Sequence, residues 1–370
     1  KIKDFKILMP ESDIRLDSLT ISYDSLSQLS KIDSFQNSFR FNFSMPKSYI
    51  KGNDLACFAP ILKGLRNPIK TSAAINYSNK TLRLKDFSAS YGNNINIHTS
   101  ANISDPFNPN ETFVYADISE VRIGRDELEN LISDLTKEPF ILPKEMQNLG
   151  DLLYKGNISG FYSNLVAYGR LITQVGVIKT DLMMSYIPNN QNIKFKGKIG
   201  TQDFNLNRLL GKDTKLQHLS MNVEVDGEIP QNKKITGKVS GRINSFTYNG
   251  YDFNDITIDG NYSQENASAD IKYGDENGNG NILIHSDIDF KDKIKKFNLF
   301  ARVDSIKPNP LKLIDSYPTF KASLIAKSQL QFTTIDDILG YISIDSLSLF
   351  NDNESYNIDS LVVRATKEND

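Results

Sequence analysis

Apolar and polar residues alternate along this chain in short runs that recur almost from end to end. A period of two places every second side chain on one face of an extended strand, so the chain reads as mainly β, with one buried face per strand. Ile14, Leu16, Leu19, Ile21 and Tyr23 open the series, and FRFNFS alternates strictly through Phe39, Phe41 and Phe43. Thr81, Leu82, Leu84 and Phe87 lead into Ile95 and Ile97, and Ile256 and Ile258 lead into Tyr262. Ile282 and Ile284 run on to Ile288 and Phe290, and Ile342 and Ile344 to Leu347 and Leu349. Between these runs sit SNK at 78–80, IPNNQN at 187–192 and DENGNG at 275–280. Such Asn/Gly-rich clusters are hairpin joints, not linkers.

Helical spacing is rare. In GRDELENLISDLT the residues Leu128, Leu131, Ile132 and Leu135 fall on one helical face, with Gly124 before them and Pro139 after. NDLACFAPILKGL, near 54–65, is a second candidate, with Asp54 as its cap and Pro60 interrupting it. LNRLLG at 206–211 supplies a single turn. Helices this short carry no domain of their own and are expected to cap the ends or the open side of a sheet.

Two stretches echo each other, GNISGFYSNLVAYGRLIT at 156–173 and GKVSGRINSFTYNGYDFNDITIDG at 237–260, with a looser echo in GKIG at 197–200. Each reads Gly-x-aliphatic-Ser-Gly, a strand, a tight turn and a strand. The glycines at 156, 160, 237 and 241 are expected to allow bulges or bends in a twisted sheet. Similarity on this scale favours a quasi-one-dimensional stack of strands. Residues 1–150 and 151–370 are therefore two stretches of one continuing groove with no clear linker, the first carrying the short helices near 54–65 and 125–136. The expected fold is all-β, an elongated antiparallel sheet curled lengthwise into an open groove.

Composition narrows the chemistry. Of 370 residues 39% are hydrophobic, and 43 Lys+Arg nearly balance 45 Asp+Glu, which argues against disorder and against a nucleic-acid partner. Cys57 is the one cysteine, so no internal disulfide exists. Three histidines, His98, His218 and His285, lack metal-ligand spacing, and nothing resembles a nucleophile elbow. In DENGNG, Asp275, Asn277, Asn279 and Gly280 match the first half of a calcium loop, but its twelfth position is Ser286 where a bidentate Glu belongs. A hairpin turn is the better account of that segment. No cofactor, metal site or catalytic residue is expected, and the chain reads as a non-enzyme. No stretch has the length and apolarity of a membrane-spanning helix, and KIKDFKILMP reads as a strand, which suggests that the natural chain starts upstream.

Four segments carry a resemblance: DLACFAP, LPKEMQNLGDLLYKGNISGFYSNLVAYGRLITQVGVIKTDLMM, IGTQDFNLNRLLG and SFTYNGYDFNDITIDGNY. With the strand pattern between them they cover roughly residues 54–314, and the chain resembles the AsmA/TamB family of the Gram-negative envelope, in particular the TamB-like proteins of Bacteroidota. The resemblance implies an apolar-lined β-groove and a periplasmic location, with an inner-membrane anchor outside this segment. It also implies phospholipid movement between inner and outer membranes, with acyl chains as the guest and an outer-membrane β-barrel assembly protein as a further partner. Asp-Ser-aliphatic tripeptides at 17–19, 24–26, 304–306, 345–347 and 359–361 are similar to an O-glycosylation signal of periplasmic Bacteroidota proteins, and plain strand-start composition accounts for them equally well.

A sheet whose inner face is covered by neither sheet nor helices can shelter acyl chains instead. Burial is worth ~0.8 kcal/mol per CH₂, so a lipid chain in water faces a cost on the order of 10 kcal/mol that an apolar lining removes. The lining residues expected from the alternating runs are Phe41, Phe43, Leu82, Leu84, Ile158, Leu171, Val239, Ile256, Ile258, Ile282, Ile284 and Leu299. Register decides which face they share, because a slip of one residue exchanges the two faces. A rival expectation is a periplasmic scaffold that takes up outer-membrane strands by adding them to a sheet edge. A carbohydrate-binding or hydrolase β-domain would need surface aromatic platforms or a carboxylate pair, and neither stands out in the sequence.

Overall fold

The computed structural model of the chain describes residues 1–24, 37–56, 60–108, 110–137, 139–142, 144–161, 163–187, 192–211, 214–230, 235–333, 337–352 and 354–366. It is all-β and antiparallel, and its strands do not close into a barrel. Two compact units divide the chain. One is Lys1–Ser185 with Leu209–Gly211; the other is Tyr186–Arg208 with Lys212–Asp370.

The first unit is a meander of β1 (Ile2–Leu8), β2 (Asp13–Ser22), β3 (Arg40–Ile50), β4 (Ile69–Ser78), β5 (Thr81–Tyr91), β6 (Ile95–Ser104), β7 (Phe113–Ile123), β8 (Leu152–Phe161), β9 (Asn164–Ile172) and β10 (Val177–Ile187), each pairing with the next. The second unit repeats the scheme with β11 (Asn192–Asn205), β12 (Leu216–Ile229), β13 (Thr236–Tyr248), β14 (Tyr251–Tyr262), β15 (Asn266–Gly274), β16 (Asn281–Asp289), β17 (Lys295–Ile306), β18 (Lys321–Phe332), β19 (Leu339–Asn351) and β20 (Glu354–Ala365).

The joints follow from turn chemistry. Asn79 and Lys80, with φ of 48° and 59°, turn β4 into β5, and Asn249 (φ 50°) with Gly250 (φ 76°) turns β13 into β14. Positive φ at both central residues matches the twist of the flanking strands. The DENGNG segment is indeed a hairpin loop, since Gly274 pairs with Asn281 on either side of it. Its organiser is Asp275, whose carboxylate accepts the backbone N–H of Asn277 at 3.0 Å and of Asn279 at 2.9 Å. The hydroxyls of Tyr251 and Tyr273 donate to the same carboxylate at 2.6 and 2.9 Å. These four donors outweigh partial burial and hold the Asp275 pKa below the usual carboxylate range. The turn segment at 187–192 lies largely outside the described residues, as does Cys57.

Short helices sit where expected. Arg125–Thr136 starts after Gly124 and ends on Lys137 in the left-handed conformation (φ 60°). Its Leu131 and Leu135 pack on Leu65, Tyr91 and Ile95, at one end of β4–β7. Leu206–Leu210 forms the single turn after β11. The segment near 54–65 resolves into a helix Gly52–Leu55 and a 3₁₀ turn Pro60–Gly64. Asp54 is not its cap: that position is Lys51, and the Asp54 carboxylate instead accepts Ser12 Oγ at 2.5 Å, tying down the β1–β2 connection.

One further expectation is corrected. The Gly-x-aliphatic-Ser-Gly echo does not mark one place in a repeated hairpin. Gly160 stands one residue from the end of β8, whereas Gly241 lies in the first half of β13. Of glycines 156, 160, 237 and 241, three take positive φ (159°, 136° and 151° at Gly156, Gly160 and Gly241), and Gly156 borders the register shift between β7 and β8; the other left-handed bulge residues are not glycines. They fall on Asp86, Asp203, Asp255, Ser305 and Ser346, with φ between 50° and 57°. Short polar side chains tolerate this conformation because they bond locally. Gly227 serves close approach: a Cβ there would lie 2.4 Å from the ring of its partner Phe195, which covers it.

Candidate functional site, an uncovered apolar sheet face

Directly paired residues of an antiparallel ladder share a face, so the registers can be read as rows across each unit. In the first unit one row runs Ile2, Leu19, Phe43, Ile75, Leu84, Ala101, Ala116, Ile158, Ala167, Leu182. Every member is apolar. In the second unit the corresponding row is Ile199, Val223, Gly241, Ile258, Ile271, Ile284, Ala301, Ala326, Ile344, Leu361. Here too no side chain carries a polar atom. The reverse face of the second unit reads Lys198, Glu224, Ser240, Asp259, Asp270, His285, Phe300, Lys327, Ser343, Val362.

All twelve residues expected to line a groove lie on the apolar face of their own unit. Phe43, Leu84 and Ile158 are in the row just given, and Phe41 and Leu82 are joined through Tyr77 in the next. Leu171 follows one row beyond the Gly156–Gly169 pair. In the second unit Ile258 and Ile284 share a row, Val239 and Leu299 flank it on one side, and Ile256 and Ile282 on the other. Only Ile256 is buried; the other eleven remain partly exposed. Faces pressed against a second layer bury such residues completely, so partial exposure marks a face with no cover.

Bulges modify this face in a regular way. Phe87, Phe204, Ile256, Ile306 and Leu347 each follow directly after a left-handed Asp or Ser. A bulge adds one residue to a strand and re-aims the next side chain; without it, alternation would send these large side chains to the polar face. Three bulge amides are satisfied the same way, by a serine on the adjoining strand: Asp86 N–H to Ser100 Oγ (3.3 Å), Asp203 N–H to Ser220 Oγ (3.1 Å) and Ser305 N–H to Ser323 Oγ (2.8 Å). The tripeptides 304–306 and 345–347 are therefore bulges and not strand starts, and 359–361 lies mid-strand in β20. Within 24–26 only Asp24 is among the described residues.

Both apolar faces are capped at one end. In the first unit Leu65, Tyr91 and Ile95 form a buried cluster beneath Leu131 and Leu135. Beside it the Tyr91 hydroxyl donates to Asp134 Oδ2 at 2.7 Å, while Arg66 Nε meets Asp134 Oδ1 at 2.8 Å. Burial first, and the Asp134 carboxylate second, push the Tyr91 pKa up. In the second unit Phe253, Ile256, Tyr273 and Leu311 form the cluster, Leu311 arriving from the loop after β17. Burial, reinforced by Asp275, raises the Tyr273 pKa far above that of a free tyrosine.

Sequence reasoning missed a cluster of titratable groups on the polar face of the second unit. His285 Nδ1 lies 2.8 Å from Asp270, its cross-strand partner, and Nε2 lies 3.0 Å from Asp287. Two carboxylates on two ring nitrogens favour the imidazolium, and the Asp270 hydrogen bond is the chief cause of the raised His285 pKa. No group of His, Cys, Asp and Glu suited to a metal ion occurs among the described residues, and none of their helices is long and apolar enough to cross a membrane. The fold and this site define an all-β chain with an open antiparallel sheet, polar on one face and apolar on the other. Compared with protein-family models, curated proteins and solved structures, the chain matches none.

Proposed function

We propose that the uncovered apolar face shelters phospholipid acyl chains and that the chain is part of a lipid conduit between the inner and outer membranes, held in the periplasm as the AsmA/TamB resemblance implies. The observation that carries this reading is the unbroken apolar row across all ten strands of each unit. A row of that kind needs no catalytic group: each acyl segment exchanges one aliphatic contact for the next along the strand-stacking direction, so the aqueous barrier of on the order of 10 kcal/mol per chain is largely removed. Strands lie ~4.8 Å apart, so a step from one strand to the next is a few methylenes long.

The test is organic extraction of the purified chain followed by lipid mass spectrometry. The wild-type chain is expected to retain phospholipid, and Ile258→Asp with Ile284→Asp to lose it while circular dichroism still reports the β-sheet. Equal lipid in both proteins, or none in the wild type, rejects the conduit.

One observation favours a second reading, a scaffold for outer-membrane strands. Every residue of β20 is exposed, and among the described residues it pairs only with β19. An edge strand of this kind accepts an added strand, from a partner or from the chain's own continuation. Site-specific photocrosslinkers along β20 would then capture polypeptide, with no lipid dependence.

A further inference from the structure

The reverse face of the first unit changes character part-way across. One of its rows runs Thr20, Asn42, Asn76, Arg83, Asn102 through β2–β6, and then Tyr115, Ser159, Val166, Met183 through β7–β10. The next row over β7–β10 is Asp117, Asn157, Tyr168, Asp181, and beyond it lie Lys155, Arg170 and Lys179. Tyr115 and Tyr168 are 45% and 60% exposed, so much of each ring is open to solvent. They stand on β7 and β9, one row apart, with the short side chains Asn157 and Ser159 of β8 between them, so the two rings rise about 10–12 Å apart on either side of low ground, the trough.

The polar groups around this trough are unspent. Elsewhere on the polar faces charges pair across or along strands, as Lys196 does with Asp226, Arg242 with Asp255 and Lys327 with Asp345. Asp117, Asn157, Asp181 and Arg170 make no side-chain hydrogen bond or ion pair among the described residues, although Lys155, Arg170 and Lys179 are like charges placed directly opposite one another.

We infer that the trough between Tyr115 and Tyr168 binds a glycan, with the sugar rings stacked on the two phenol faces and their hydroxyls bonded by Asp117, Asn157, Asp181 and Arg170. The chemistry selects this class. Pyranose rings present apolar C–H faces that stack on aromatic rings, and a hydroxyl donates and accepts at once, so it uses carboxylates, amides and guanidinium together. A lipid surface would call for cations around the aromatic patch without interspersed carboxylates, and Asp117 and Asp181 stand within it. The site is on the face opposite the apolar one, so it neither requires nor tests the lipid proposal.

The experiment is a printed array of bacterial, plant and animal oligosaccharides, followed by calorimetric titration of the strongest hit. Saturable binding is expected. Tyr115→Ala with Tyr168→Ala should weaken it at least tenfold, Asp181→Asn should weaken it less, and Tyr168→Phe should retain the stacking and most of the affinity. Because these side chains are exposed, the variants should keep the wild-type melting temperature. An array with no saturable hit, a hit insensitive to the double alanine variant, or binding only to phosphatidylglycerol vesicles would overturn the inference.

Discussion

His285 is one imidazole between two carboxylates, and its environment sets the direction of a pH effect. Its pKa is raised above that of a free imidazole, first by the Asp270 hydrogen bond and further by Asp287. Its contribution to stability is therefore full below the unfolded value and is lost as pH rises through the folded one. The cluster is about half exposed, which keeps the effect small. Urea titrations at two pH values on either side of neutrality should show a wild-type loss at the higher pH that His285→Gln lacks; identical pH profiles would mean that the two carboxylates do not hold the proton.

The bulge residues set a second local rule. Ser305 donates its N–H to Ser323 Oγ at 2.8 Å, so Ser323→Ala should cost about 0.5–1.5 kcal/mol. Asp86, at φ 50°, should accept glycine with little change but lose about 1–3 kcal/mol as valine, whose branched side chain opposes left-handed backbone. Chemical denaturation reads both. Neither position was legible beforehand, because an Asp or Ser within an alternating run looks like any polar outward residue, and left-handed backbone leaves no mark in hydropathy.

Among the elements, the helix Arg125–Thr136 is the most informative. Its apolar spacing announced it, and so did the role of cap, since Leu131 and Leu135 could only be buried against something else. What the spacing did not announce is its anchor. Asp134 is 6% exposed and joins Tyr91 to Arg66 from positions far apart in the chain. Asp134→Ala should release the Tyr91 hydroxyl into a buried setting at a cost of about 1–3 kcal/mol. The helix should then exchange its amide hydrogens faster, while β8–β10 keep their protection. Uniform acceleration across the first unit would show instead that the helix and the sheet open together. The strands divide along the same line: their existence and alternation were plain, whereas their pairing partners depended on which turns are tight, and those were signalled at Asn79–Lys80 and Asn249–Gly250 by residue type.

For the whole molecule, the telling quantity is how little is buried. Within each unit the buried hydrophobic cluster is small, Leu65, Tyr91 and Ile95 in the first and Phe253, Ile256, Tyr273 and Leu311 in the second. Denaturant sensitivity follows the surface newly exposed on unfolding, so the urea m-value should fall clearly below that of a compact protein of the same length. An m-value typical of such a protein would mean that the apolar faces are covered in solution. The uncovered faces should also bind anilinonaphthalene sulfonate in the native state, and the Ile258→Asp, Ile284→Asp variant should bind less of it.

The order of residues alone determined that this chain is a succession of amphipathic strands with brief helical caps, because period-two alternation and turn chemistry are local properties. It also determined which side chains are apolar enough to line a surface, and all twelve chosen from the pattern do share the apolar face of their unit. Tertiary structure decided the rest. Register joined Ile258 to Ile271 and Ile284 in one row, bulges returned Phe87 and Leu347 to that face, and neighbouring strands brought Tyr115, Asn157 and Tyr168 around one trough. These are relations between strands, and hydropathy read along one strand carries no record of what the next strand places beside it.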